Sequence, residues 1–234
     1  MATFVLVHGA WSGAHTFHRV RPLLEDQGHR VFTPSLTGIG ERVHLASSGV
    51  NLSTHISDVV NHVLYEDHRD FVLLGFSYGG AVVTGALGHI GDRVRHVVYL
   101  DAFVPADGQS VDDLRGKNEP QSIALGDKWQ IEPRPRNFDD PEEATLQNAR
   151  RVAQPAATFS EKVQLDRPLE EWPFRRTYVK ATEDPQDSDG TGPFWIAANH
   201  ARSSAHWESY DVNTSHMIPN NRPVELVEIL LAMA

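Results

Sequence analysis

The sequence predicts the α/β fold class, in which helices cover both faces of a mostly parallel central sheet. The strand candidates are short, continuous apolar runs rather than alternating patterns, as expected of strands buried on both sides. Helical patterns lie between these runs, and such alternation is typical of parallel strands joined by crossover helices. One long segment departs from the alternation and predicts an inserted helical cap.

Six segments are predicted as strands: Thr3–His8, Arg30–Thr33, Phe71–Phe76, Val94–Leu100, Arg176–Ala181 and roughly His206–Val212. Four helices are predicted between and after them: Thr16–Gln27, Leu52–Tyr65, Tyr78–His89 and Pro223–Met233. Gly28 is the expected stop of the first helix, and Ser53 is the expected N-cap of the second. The third helix is rich in small apolar residues, which indicates burial against the sheet.

The segment 104–173 contains many prolines, acidic pairs and glutamines, and it has no convincing strand. A structureless loop of this length is unusual in a compact domain. A helical fragment at Pro141–Val152 and apolar side chains such as Trp129 and Phe159 instead favour a folded unit. The sequence therefore predicts a core of residues 1–103 and 174–234 with a helical cap at 104–173.

Composition excludes several classes of function. The 234 residues, 40 % of them apolar, suffice for one domain with a cap, and the net charge of −10 disfavours nucleic acid and anionic lipid as partners. The sequence has no cysteine, so a disulfide scaffold, a thiolate nucleophile and cysteine-ligated metals are excluded. No apolar run approaches the roughly 18 residues of a membrane helix. A strand pattern that starts at Thr3 argues against a signal peptide, and we expect a cytoplasmic protein.

The strongest local motif is Gly75-Phe76-Ser77-Tyr78-Gly79, a G-x-S-x-G sequence between a predicted strand and a predicted helix. This context is typical of a nucleophile elbow, a sharp turn that exposes a serine hydroxyl at the N-terminus of a helix. Side chains at positions 75 and 79 would collide with the neighbouring strand and helix. Ser77 is therefore the candidate nucleophile.

A serine hydroxyl needs a base, and the order Ser…Asp…His places that base late in the chain. His216 follows the last predicted strand and is the candidate base; His200 and His206 are the alternatives. The acid should follow a strand end between Ser77 and His216. Asp184 is the favoured candidate and Asp101 the main competitor. Glu183 and Asp187 are less favoured.

An oxyanion hole requires two backbone N–H donors. Tyr78, directly after the candidate nucleophile, should supply one, and Ala10 in the loop after the first strand should supply the other. Gly9 would let that backbone approach the site. The glycine pattern lacks a phosphate-binding lysine or a complete dinucleotide fingerprint, and histidines 15 and 18 lack a third ligand nearby. We therefore expect neither a cofactor nor a metal.

With these motifs, the chain resembles the α/β-hydrolase superfamily, and within it the branch of plant methylesterases, hydroxynitrile lyases and related small bacterial esterases. The resemblance rests on FVLVHGAW, RPLLEDQGHRVFTPSLTGIG, GFSYGG, YLDAFVP, ATED and SHM, which together span most of the core. It implies that Ser77, His216 and Asp184 form a catalytic triad, with oxyanion amides at Ala10 and Tyr78.

Two positions bear on the activity that this resemblance implies. Hydroxynitrile lyases of the branch carry a threonine after the first-strand histidine and a lysine after the catalytic histidine, where this chain has Gly9 and Met217. An esterase is therefore favoured over a cyanogenic lyase. Phe76 stands where the branch usually has histidine.

The expected reaction is hydrolysis of a small to medium hydrophobic ester or lactone, a small-molecule substrate. The candidate substrate contacts are Gly9, Trp11, Trp129, Phe159 and Met217. A cofactor-free lyase, a C–C bond hydrolase, a perhydrolase and a small-molecule receptor remain alternatives on the same scaffold. A homodimer is compatible with the sequence.

Overall fold

The computed structural model describes residues 1–184 and 190–234. Its strands are β1 Thr3–Val7, β2 Arg30–Phe32, β3 Phe71–Phe76, β4 Val94–Leu100, β5 Gln130–Ile131, β6 Gln154–Pro155, β7 Arg175–Ala181 and β8 Glu208–Val212. Its helices are α1 Val20–Asp26, α2 Leu52–Tyr65, α3 Gly79–Ile90, α4 Val111–Leu114, α5 Gln121–Ala124, α6 Pro141–Ala149, α7 Ala157–Ser160, α8 Pro193–Ser203, α9 Ile218–Asn221 and α10 Pro223–Leu231.

Six strands form one parallel sheet in the order β2-β1-β3-β4-β7-β8. Alternate residues of each central strand enter two separate apolar cores, so the sheet is buried on both faces as the sequence predicts. Helices α2 and α3 pack together on one face, and α1 packs with α10 on the other. The α/β-hydrolase fold predicted from the sequence is confirmed.

Most element boundaries agree with the prediction within a few residues, but the first helix and the N-cap of α2 differ from it. The predicted helix 16–27 divides into a 3-10 turn at Ala14–Phe17 and the shorter α1. Asn51, rather than Ser53, caps α2: its side chain accepts a hydrogen bond from the Thr54 N–H at 3.0 Å. Ser53 lies inside the helix, where its backbone N–H and its hydroxyl both donate to Glu161 at 2.7 Å.

The chain between β4 and β7 lies over the carboxyl end of the sheet and contains four short helices, α4 to α7, and a two-strand antiparallel ladder of β5 with β6. It contributes Val111, Phe159 and Val163 to the same apolar core as α2 and α3. The domain boundaries 104 and 173 stay a prediction. No helix among residues 1–184 and 190–234 combines the length and apolar character that a membrane span requires.

Candidate active site

Ser77 lies in the tight turn between β3 and α3. Its φ angle is 55°, in the left-handed region that non-glycine residues seldom adopt, and its backbone N–H donates to the Leu100 carbonyl at 3.1 Å. A Cβ at Gly75 would lie 2.6 Å from the Gly79 carbonyl oxygen, and one at Gly79 would lie 2.6 Å from the Val7 carbonyl oxygen. These approaches explain why the turn needs glycine at both positions.

His216 lies between β8 and α9 and faces Ser77. Its Nε2 is 2.9 Å from the Ser77 Oγ, the distance of a hydrogen bond in which a neutral imidazole accepts the serine proton. The ring is stacked between Phe76, with centroids 4.8 Å apart, and Phe194, with centroids 5.3 Å apart. Burial lowers the pKa of His216 below its ordinary value of 6.5. The imidazole is therefore neutral at neutral pH, as a base must be.

The carboxylate that contacts His216 belongs to Asp101, not to the favoured Asp184. Asp101 Oδ2 lies 2.6 Å from His216 Nδ1, and its side chain is fully buried. Asp101 directly follows β4, which pairs with β3, the strand that directly precedes Ser77. Asp184 lies three residues beyond the end of β7. The Asp184 Oδ2 lies 4.0 Å from an Arg136 nitrogen in the cap. The expectation of Asp184 as the partner of His216 is therefore corrected.

The remaining alternatives lie away from this cluster or outside the described residues. Glu183 is exposed, and Asp187 lies outside the described residues. His200 is exposed with its Nε2 3.3 Å from a Glu170 oxygen, and His206 is exposed at the start of the β8 segment. The structure thus brings Ser77, His216 and Asp101 into one hydrogen-bonded chain.

A buried lysine that the sequence analysis overlooked holds the other oxygen of Asp101. Lys180 Nζ lies 2.9 Å from Asp101 Oδ1, and the two side chains are 1 % and 0 % exposed. The Ala181 N–H donates to the same oxygen at 3.3 Å, and Lys180 also donates to the Ala181 carbonyl at 2.6 Å. The signal was a lysine one residue before the end of a predicted sheet strand, RTYVKA. Both carboxylate oxygens therefore have fixed partners, which orients Asp101 toward His216.

The backbone amides of Ala10 and Tyr78 border the same cavity as Ser77. Within residues 1–184 and 190–234 neither amide donates a hydrogen bond to the protein, so both are free to bind an oxyanion. A Cβ at Gly9 would lie 3.0 Å from the Cβ of Ser77, which explains the glycine there. His8 fixes the start of this loop, because its Nε2 accepts a hydrogen bond from Leu36 N–H at 3.1 Å.

Trp11 joins the loop after β1 to the segment between β4 and β7. Its backbone N–H donates to Gln154 Oε1 at 2.9 Å, its indole N–H donates to the Ile131 carbonyl at 2.8 Å, and its carbonyl accepts from Val152 N–H at 3.1 Å. Its φ angle of 59° is again in the left-handed region. Three hydrogen bonds from the cap thus fix the residue next to Ala10.

Ser77 opens into a cavity of about 320 Å³ with an aromatic wall and a basic wall. Trp11, Tyr78, Phe103, Phe159 and Phe194 form the aromatic wall; Arg115, Lys117 and Arg136 form the basic one. Gly9 and Met217 line a small recess beside Ser77. Trp129 lines neither space, and its carbonyl accepts a hydrogen bond from Ala156 N–H at 2.8 Å; its substrate contact stays a prediction.

Asp101, Asp184 and His216 are the one cluster of metal-binding residue types among the described residues, with one ligand atom of each within 4.8 Å of the others. Both carboxylates already face cations: Asp101 is paired with Lys180, and Asp184 lies 4.0 Å from Arg136. The imidazole has Ser77 and Asp101 as its partners. The geometry therefore fits a proton-transfer chain better than a cation site.

Comparison with known proteins agrees with this geometry. Residues 4–229 match the alpha/beta hydrolase family. The chain belongs to the α/β-hydrolase family. An extracellular α/β-hydrolase from a Paenibacillus species superimposes on the whole chain with a TM-score of 0.85 at 24 % identity, covering 100 % of this chain and 99 % of that one. This likeness supports the fold.

Two curated members of the family show more sequence similarity over part of their length. A carbendazim hydrolyzing esterase of Nocardioides sp. (strain SG-4G) is 46 % identical over 124 residues, which cover 53 % of this chain and 51 % of that protein. Methylesterase 1 of Arabidopsis thaliana is 32 % identical over 141 residues, 54 % of this chain and 50 % of that protein. The chain spans about half the length of the curated relatives it matches. The resemblance to methylesterases and bacterial esterases is confirmed.

Proposed function

We propose that this α/β-hydrolase is a serine carboxylesterase that cleaves small to medium esters or lactones through an acyl-enzyme. The supporting observation is the hydrogen-bonded chain from Ser77 Oγ through the imidazole of His216 to Asp101, which ends in a cavity with two free backbone amides. This arrangement contains a nucleophile, a base, an orienting carboxylate and an oxyanion site.

The mechanism follows from the contacts of each group. His216 Nε2 takes the proton of Ser77 as the serine oxygen attacks the ester carbonyl, and Asp101 stabilises the imidazolium that forms. The Ala10 and Tyr78 amides bind the tetrahedral oxyanion. His216 then protonates the leaving alcohol, and in the second step it activates the water that releases the acid and regenerates Ser77.

The cavity supports an ester of limited size. Its volume of about 320 Å³ lies at the lower end of the range for small-molecule sites. Aromatic side chains from the core and from the cap give it an apolar wall. The names of the two curated relatives, an esterase and a methylesterase, agree with this choice of reaction.

Met217 favours an esterase over a cyanogenic lyase. In the hydroxynitrile lyases of this branch a lysine follows the catalytic histidine, and its charge would stabilise departing cyanide. Met217 is uncharged and 5 % exposed, and it lines the recess beside Ser77. The ester-hydrolysis and labelling experiment below distinguishes the esterase from the C–C hydrolase and receptor alternatives.

Hydrolysis of a chain-length series of p-nitrophenyl esters, by wild-type protein and by Ser77→Ala, tests the proposal. We expect wild-type turnover with an optimum at short to medium acyl chains, and loss of turnover to background in the variant. A fluorophosphonate should label wild-type protein but not the variant. Labelling without ester turnover would show a reactive serine that acts on another class of substrate. The absence of both labelling and turnover would contradict the proposal that the protein is an enzyme.

The pH dependence of hydrolysis should show the lowered pKa of His216. Protonated His216 cannot accept the serine proton, so kcat/KM should fall as pH drops through the pKa of this group. Since burial lowers that pKa, the midpoint of the acid limb should lie below 6.5. The measurement is log kcat/KM against pH with a neutral ester.

Phe194→Ala provides the comparison for this pH profile. The Phe194 ring covers one face of the imidazole at 5.3 Å. Its removal admits water, which favours the charged form, so the midpoint should move upward toward the ordinary histidine value. A wild-type midpoint at or above 6.5, or a downward shift in the variant, would contradict the effect of burial.

A further inference from the structure

Basic side chains gather around the candidate nucleophile of an otherwise acidic chain. Three cations line the cavity of Ser77, whereas Asp184 is the one carboxylate among its described lining residues. Arg136 also borders the recess beside Ser77 and His216, and Arg151 joins it there. The net charge of the chain is −10, so this local excess of positive charge is opposite in sign to the molecule as a whole.

Arg136 is held in place by its backbone. Its N–H donates to Asn148 Oδ1 at 2.8 Å, and its carbonyl accepts from Asn148 Nδ2 at 3.0 Å. Asn148 belongs to α6, so two hydrogen bonds from a helix fix the loop residue whose guanidinium reaches the cavity. Such support is what a binding side chain requires if its head group is to keep one position.

Arg151 is a cation without a carboxylate partner in residues 1–184 and 190–234. Its Nε is buried and makes no hydrogen bond there, and its guanidinium lies 5.7 Å from the centre of the Trp11 ring. Burial, and secondly the charge of Arg136, lower the pKa of Arg151 to about 10. A buried guanidinium with an unsatisfied N–H donor is costly unless an anion offsets its charge, so Arg151 is the arginine that lacks such an anion among the described residues.

The recess that Arg136 and Arg151 both line is small, about 10 Å³, which accommodates roughly one oxygen atom. It adjoins the larger cavity through Arg136, which lines both spaces. A planar carboxylate can place one oxygen in the recess and the other in the cavity, and arginine matches that geometry with paired N–H donors. A neutral apolar ester would leave Arg151 without a carboxylate partner among residues 1–184 and 190–234.

We propose that the ester substrate carries a second, ionised carboxylate, which Arg136 and Arg151 bind while Ser77 attacks the ester carbonyl. This inference rests on the proposed esterase function and names its substrate class, the half-esters of dicarboxylic acids. The aromatic wall contacts the carbon chain between the two acid groups. Arg115 and Lys117 add positive charge at the cavity wall, which attracts an anionic substrate.

The test compares ethyl half-esters of malonic to adipic acid with neutral ethyl esters in which an isopropyl group replaces the carboxylate. Each pair has nearly the same shape, so the ratio of the two kcat/KM values isolates the charge. In wild-type protein the best half-ester should exceed its neutral analogue by about tenfold or more, as expected for a hydrogen bond to a charged group. A ratio at or below one would overturn the inference.

Substitution of each arginine tests whether it causes the preference for half-esters over neutral esters. Arg136→Gln and Arg151→Gln should each reduce the ratio by about tenfold, mainly through KM for the half-ester, and Arg151→Lys should retain more of it. Arg69→Gln removes an arginine that is 65 % exposed and paired with Asp67, and its ratio should equal that of wild type. An unchanged ratio in both glutamine variants would contradict the assignment.

A binding measurement separates this inference from the proposed function. The dicarboxylate adipate should slow fluorophosphonate labelling of Ser77 in wild-type protein but not in Arg151→Gln. If no ester is hydrolysed and adipate still protects Ser77, the anion site stands and the esterase proposal fails. If neutral esters are hydrolysed and adipate does not protect, the esterase stands and the anion site fails. If there is neither hydrolysis nor protection, both fail.

Discussion

Asp101→Asn should lower kcat for ester hydrolysis by about 10⁴-fold, whereas Asp184→Asn should lower it by less than about tenfold. The amide keeps the shape of Asp101 but loses the charge that stabilises the imidazolium of His216. Its NH2 group can also donate a hydrogen bond to Nδ1, which favours the tautomer that carries its proton on Nε2 and cannot accept the serine proton. His216 Nδ1 lies 2.6 Å from Asp101 Oδ2, whereas Asp184 Oδ2 lies 4.0 Å from an Arg136 nitrogen. The measurement is kcat for one p-nitrophenyl ester in both variants at pH 7 to 8.

Each variant must be folded for this comparison to be valid. Circular dichroism and thermal unfolding should show native structure in both, and fluorophosphonate labelling should be slow in Asp101→Asn and near wild type in Asp184→Asn. The two substitutions are chemically identical and lie at the ends of neighbouring strands, so each serves as the control for the other. A severe loss in Asp184→Asn with a mild one in Asp101→Asn would restore the order implied by the family resemblance.

Lys180→Met should reduce the free energy of unfolding by about 3–5 kcal/mol. Methionine fills the volume of the lysine stem but leaves the Asp101 charge buried without its cation. Lys180 Nζ and Asp101 Oδ1 are 2.9 Å apart in a site closed to water, so the remaining carboxylate has no solvent to replace its partner. Urea unfolding of wild type and variant, analysed by linear extrapolation, measures the difference.

An exposed ion pair provides the matched control for Lys180. Arg95→Met breaks the pair of Arg95 with Asp70, whose side chains are 35 % and 71 % exposed, and should cost at most about 1 kcal/mol. The double variant Asp101→Asn with Lys180→Met removes both buried charges and should be destabilised by less than the sum of the single variants. Equal losses in Lys180→Met and Arg95→Met would show that the buried pair contributes no more than a surface pair.

The sequence predicted those parts of the site whose geometry is local. Ser77 lies in a turn that only a strand, two glycines and a helix start can make, and these features are adjacent in the chain. His216 follows the last strand of an alternating pattern, and its position could be inferred from chain order alone. The positions of Ser77 and His216 could therefore be predicted, because they follow from turn chemistry and from the order of strands along the chain.

The acid could not be chosen by such local patterns. Asp101 and Asp184 each follow a strand, and β4 and β7 are neighbours in the sheet, so chain order allows either carboxylate. The choice depends on the direction in which the His216 ring faces, which packing against Phe76 and Phe194 determines. Such packing involves residues far apart in the chain, and nothing in the sequence around either aspartate reveals it.

The basic wall was missed because its members are scattered along the cap. Arg115 and Lys117 lie in one loop and Arg136 in another, and each resembles an ordinary surface cation in the sequence. Their proximity comes from tertiary contacts such as the clamp between Asn148 and the Arg136 backbone. The expectation of a hydrophobic ester therefore took account of the aromatic wall and not of the basic one.

The three hydrogen bonds that Trp11 makes with the cap have a consequence for the design of variants. Because Ala10 precedes Trp11 directly, an exchange of cap segments moves the group that would bind the oxyanion as well as the walls that meet the substrate. Loop grafts intended to widen substrate range will therefore change kcat together with KM. A graft that keeps Gln154 and the backbone of residues 131 and 152 in place separates the two effects.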